Sequence, residues 1–115
     1  MLSIGIACPP LTGHLNPMLA LGTELQQRGH RVAVFTVDDY AGHVAAHGLT
    51  LGRIGAERFP AGAIPAWQHL LQRQESAQAI ELTVDLLHDY ALTALAECPD
   101  LIREHALAAP TRRVL

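Results

Sequence analysis

Thr12-Gly13-His14-Leu15-Asn16-Pro17 separates an apolar hexapeptide, residues 2–7, from a segment with helical spacing, residues 17–28. Leu2-Ser3-Ile4-Gly5-Ile6-Ala7 is almost wholly apolar and runs into Pro9-Pro10, the pattern of a strand buried on both faces of a parallel sheet. Asn16 offers a side-chain N-cap, and Pro17 suits the first helical position, where its missing N–H costs nothing. Met18, Leu21, Gly22 and Leu25 then fall at helical spacing, and Gly29 supplies a stop. This reading puts His14 at the carboxyl end of a first strand, just before a helix N-terminus, where open α/β folds gather their chemistry.

Working outward, Arg31-Val-Ala-Val-Phe-Thr-Val37 is β-branched and aromatic and predicts a second strand. Asp38 or Asp39 is expected to cap a short helix ending at Gly48, and residues 49–54 form a third, weaker strand. Strand, helix, strand, helix, strand is the opening of an α/β fold with a doubly wound parallel sheet of the Rossmann-like kind. Residues 55–65 carry two prolines and two glycines and read as a surface loop. Pro65 opens a helix holding Trp67, Leu70 and Leu71, and a longer helix starts near Ser76. There Ile80, Val84, Leu87, Ala91 and Leu95 mark one apolar stripe, and Leu82, Leu86 and Tyr90 a second. A helix so widely apolar should meet two surfaces, the sheet on one side and a loop, ligand or further domain on the other. Pro99 predicts a kink or a restart. Residues 106–115 give no convincing fourth strand, although Val114-Leu115 could begin one, so the sheet is expected to end in an unpaired edge that invites self-association.

With 115 residues, half of them apolar, the chain is one domain at most, with enough material for a core. A net charge of −3 and the lack of a basic cluster beyond Arg112-Arg113 argue against a nucleic-acid partner. Cys8 and Cys98 form neither a metal spacing nor a disulfide framework. Neither a leader nor a membrane span is read, which gives a cytoplasmic expectation. His43 and His47 would share a helix face, but no third ligand accompanies them, so they read as a solvated pair and no metal is expected. His30, His69, His88 and His105 show no grouping, though His30 follows a helix end whose dipole would welcome a cation. No nucleophile elbow supports a hydrolase.

His14 is the sharpest candidate. The partial positive charge of a helix N-terminus disfavours imidazolium, and a neutral imidazole is what a general base requires. The plainer alternative is a histidine that only hydrogen-bonds its loop.

Residues 10–25, followed by Arg28-Gly29-His30-Arg31-Val32, resemble the N-terminal opening of UDP-dependent glycosyltransferases with the GT-B fold, the family of macrolide, carotenoid and plant glucosyltransferases. Gly-His-x-Asn-Pro after the first strand, then a leucine-rich helix ending in Arg-Gly-His-x-Val, carry the resemblance. It implies that residues 1–115 are a partial, acceptor-side N-terminal domain, without the C-terminal domain that binds the nucleotide sugar. It implies hexosyl transfer with inversion from a UDP-sugar to a hydroxyl of a small apolar acceptor, with His14 as the base. Thr12 and Gly13 would lie against substrate, and Trp67 and Leu87 would fall in the part that lines the acceptor pocket. No cofactor is implied, since the UDP-sugar is a co-substrate. The aspartate that often orients the family's histidine after a fourth strand is not found, and the isolated chain is expected to turn over little or nothing.

Two other readings stay beside this one. A non-catalytic module could hold a hydrophobic, hydroxylated ligand. A dinucleotide-binding half could use Asp38 on a ribose, but residues 8–13 supply one glycine and two prolines in place of the glycine fingerprint.

Overall fold

The computed structural model describes residues 1–106 and the strand at 112–114. The elements are β1 (Ser3–Ala7), α1 (Thr12–Gln27), β2 (Arg31–Thr36), a 3₁₀ turn (Asp38–Tyr40), α2 (Ala41–Ala46), β3 (Thr50–Arg53), α3 (Ala63–Gln72), α4 (Ser76–Ala106) and β4 (Arg112–Val114). One sheet has the order β3-β2-β1-β4, and every neighbouring pair is parallel. Parallel neighbours need crossovers; α1 joins β1 to β2, and α2 joins β2 to β3. This is the Rossmann-like α/β arrangement expected from the sequence.

Alternation along the strands assigns the two faces. Ile6 and Val32 meet α1, where the absence of a side chain at Gly22 lets the helix close on the sheet; a Cβ there would lie 2.9 Å from Leu49 Cδ1. Leu15 and Leu19 of α1 are fully buried, worth about 1.5–3 kcal/mol each. On the opposite face, the Phe35 ring spreads over Gly5 of β1 and Gly52 of β3, with His105 of α4 beside it at 5.9 Å between ring centroids.

Three expectations are corrected. First, α1 starts at Thr12, not at Pro17. Leu11 in an extended conformation precedes it, and Asn16 is an exposed residue inside the helix, not its cap. Pro17 sits within the helix and leaves the Gly13 carbonyl without its helical donor. Burial of Leu15 and Leu19 extends the helix past the local start signal. Second, β4 exists: Ser3 faces Arg112 and Gly5 faces Val114. The side of β1 expected to lie open is therefore covered, and among the described residues the sheet's edges are β3 and β4. Three residues are too few to show a strand period, which is why the sequence does not reveal β4. Residues 107–111 of that tail lie outside the described residues. Third, α4 passes through Pro99 without a break. Tyr90 and Ala94 before the proline, and Leu101 and Ile102 after it, pack into or against the core, so the helix does not restart there.

The two stripes of α4 differ in burial, although Leu87 of the first is half-buried. Leu82 and Leu86 are half-buried and Tyr90 buried, whereas Ile80, Val84 and Leu95 are exposed at 66%, 59% and 74%. α3 starts at Ala63, ahead of Pro65, after Gly62 in the left-handed region at φ 93°.

Candidate functional site

The site starts where the β1–β2 ladder stops. Cys8 donates its N–H to the Phe35 carbonyl at 2.9 Å, one step beyond β1. Pro9 and Pro10 have no N–H to continue the ladder. The Leu11 N–H turns back to the Pro9 carbonyl at 2.8 Å. The Leu11 carbonyl then accepts from His14 N–H at 3.0 Å and from Leu15 N–H at 2.9 Å, closing the first turn of α1. His14 is thus on the helix itself, in its first turn, with its side chain exposed. Leu15, next to it, anchors the turn in the core.

Two phenols brace the residues that lead into that turn. Tyr40 donates its O–H to the Pro10 carbonyl at 3.1 Å, and Tyr90 donates to the Cys8 carbonyl. Burial pushes both phenols up from their ordinary pKa. The Cys8 thiol, also buried, is pushed up to about 11 and is a poor nucleophile.

The acidic pair after β2 does not cap its own 3₁₀ turn. Asp38 pairs with Arg53 Nε at 2.5 Å. Its carboxylate is therefore engaged where the dinucleotide reading would need it on a ribose. Asp39 accepts from Gly62 N–H at 2.6 Å and Ile64 N–H at 2.9 Å, capping α3 from outside.

The other candidates fall as follows. Thr12 opens α1 and is exposed. Gly13 is exposed, and a Cβ there would meet no protein atom within 4 Å. Trp67 is half-buried on α3, and its buried indole N–H has no partner among the described residues. Leu87 is half-buried on α4. Three surface depressions of about 410–430 Å³ lie elsewhere. One lies by the amino ends of β2 and β3, near His30 and His105. The second runs along β3 and α4, and the third lies at Gly55–Arg58 and Glu97. His14, Trp67 and Leu87 line none of the three. His30 Nδ1 accepts the Leu2 N–H at 3.0 Å. The His47 ring turns to the His43 carbonyl at 2.9 Å, and among the described residues no cluster of three or more ligand side chains could hold a metal. No helix among the described residues is long and apolar enough to cross a membrane.

Tyr40 and Tyr90 are the residues that sequence reasoning misses. Tyr90 looks like one more core position of a helix stripe. The useful signal is chemical: a buried phenol needs an acceptor, and a Pro-Pro segment has carbonyls to offer.

Residues 12–111 match the family model of the glycosyltransferase family 28 N-terminal domain. The chain belongs to this family. The match starts at the motif that holds His14, and the resemblance to the N-terminal half of a glycosyltransferase is thereby established. This glycosyltransferase domain is also similar to the solved glycotransferase of kitacinnamycin, at 22% identity with a TM-score of 0.52 over 94% of the chain. At that identity the likeness concerns the fold. The domain spans 22% of the length of that structure. No curated protein matches it.

Proposed function

We propose that this domain is the acceptor side of an inverting GT-B glycosyltransferase and that His14 is its general base. His14 takes the proton of an acceptor hydroxyl. That oxygen bonds to the anomeric carbon of a UDP-hexose, the bond from that carbon to the phosphate oxygen breaks, and UDP leaves with the electron pair. Thr12 and Gly13 lie against the reacting groups; Trp67 and Leu87 belong to the wall that receives a small, mostly apolar acceptor. The nucleotide sugar is held by a second domain outside residues 1–115, so these residues alone bind acceptor and turn over little. No cofactor takes part.

The observation that carries the reading is the placement of His14. An exposed imidazole stands in the first turn of a helix that leaves the carboxyl end of a central strand, inside the segment that matches the family. A base so placed contributes roughly 10²–10⁴-fold to the rate.

In an enzyme that joins this domain to a nucleotide-sugar domain, His14→Ala should lower kcat by about that 10²–10⁴ factor. The circular dichroism spectrum should stay the same, because the side chain is exposed. An unaltered kcat would end the assignment. Calorimetry on residues 1–115 should register a hydroxylated apolar acceptor and give no heat with UDP; tight UDP binding would contradict the division of labour. Acceptor binding by this domain with no transfer by the joined enzyme would favour a non-catalytic module.

A further inference from the structure

We propose that Tyr40 and Tyr90 are positioning residues for His14: their hydroxyls fix the backbone of residues 8–11 and so set the direction in which the first turn of α1 presents the imidazole. The inference rests on the reading of His14 as the base.

Each backbone carbonyl of these four residues finds a donor among the described residues, and the Cys8 N–H is held by the Phe35 carbonyl. The Cys8 carbonyl accepts from Tyr90, the Pro9 carbonyl from Leu11 N–H, the Pro10 carbonyl from Tyr40, and the Leu11 carbonyl from His14 and Leu15 N–H. Two of the four acceptors are therefore occupied by side chains distant in sequence. Proline rings hold φ of residues 9 and 10 near −65°. Between Cα8 and Cα11 the soft torsions left are ψ8, ψ9, ψ10 and φ11, and each ψ sets the direction of its own carbonyl. Gripping the carbonyls of residues 8 and 10 thus removes freedom that the prolines do not remove. His14 lies immediately downstream, hydrogen-bonded to the residue that ends the segment.

Both phenols are themselves held. Tyr40 is 5% exposed and follows Asp38 and Asp39, which are tied to β3 and α3. Tyr90 is 5% exposed and packs against Phe59 with ring centroids 5.8 Å apart. The grip therefore refers the His14 turn to β3, α3 and α4 at once.

Tyr40→Phe and Tyr90→Phe keep the rings and remove the hydroxyls. On the 115-residue chain, NMR should show amide exchange at His14 and Leu15 rising at least tenfold more than at Val32 and Val34. The His14 ring signals should move, while those of His69 and His105 stay in place. Leu101→Ala, a core truncation on α4 eleven residues past Tyr90, serves as the control: it should lower Tm without moving the His14 ring. Either phenylalanine variant suffices for the test. Exchange that rises equally across the sheet, or an unmoved His14 ring, would reduce the phenols to ordinary stabilisers and overturn the proposal, as would the unfolding of both variants. None of these readouts depends on transfer. A silent His14→Ala in the joined enzyme would refute the base, and an unmoved ring would refute the positioning.

Discussion

Phe35 depends on what its neighbours lack. A Cβ on Gly5 would lie 2.7 Å from its ring and one on Gly52 2.5 Å away. Gly5→Ala and Gly52→Ala should each cost about 1–3 kcal/mol by overpacking, measured by urea denaturation. Gly13 is the opposite case, exposed, helical and with open space around it. There Gly13→Ala should stabilise the domain, by up to about 1 kcal/mol, through helix propensity alone. If Gly13 lies against substrate as proposed, the same variant weakens acceptor binding in calorimetry even as the melt rises. Titration gives another prediction. Cys8 has a pKa of 9.0 when unfolded and about 11 when folded, so folding is undisturbed below pH 9. Between pH 9 and 11 the unfolded thiol ionises while the folded one does not, and stability falls with rising pH. Cys98, Tyr40 and Tyr90 shift in the same direction. A thermal melt series should show the decline, and Cys8→Ala should flatten its first part.

The elements show how local signals are overruled. Asp39 stands well before α3 in sequence, yet its carboxylate takes two N–H groups at the helix start. Asp39→Ala should cost about 0.5–2 kcal/mol, as losses of caps do, and should release the first amides of α3 in hydrogen exchange before those of α1. Strands β1 and β2 are legible in the sequence because a strand covered on both faces reads as an almost unbroken apolar run, whereas β3, an edge strand with exposed Thr50 and Arg53, gives only the weaker signal. The start of α1 is not legible, since Asn16 and Pro17 imitate a helix start so well. Only the burial of Leu15 and Leu19 against the sheet, a tertiary fact, carries the helix back to Thr12. Pro99 misleads for the same reason, and β4 is hidden by its shortness. At the site, the motif around His14 shows in the sequence, while its bracing by Tyr40 and Tyr90 does not. That bracing joins residues separated by 30 and 82 positions.

The whole molecule measures 48 × 25 × 21 Å, and α4, with 31 residues, would run about 46 Å at the usual helical rise. The outer stripe of that helix, Ile80, Val84 and Leu95, meets no surface among the described residues, although so apolar a helix predicts two. Isolated residues 1–115 should therefore associate as concentration rises, visible in sedimentation velocity. Replacing Ile80 and Val84 with lysine should suppress this with little change in Tm. If association survives that change, the sheet edges at β3 and β4 are the contact. Before Tyr90, α4 has no fully buried residue, and α3 contributes only Ile64. Together, α3 and the part of α4 before Tyr90 form a cantilever clamped at one end. Its free span should open in sub-global excursions that leave the sheet intact, so a sparing dose of protease should nick the chain between residues 72 and 88 and spare a trimmed, still folded core.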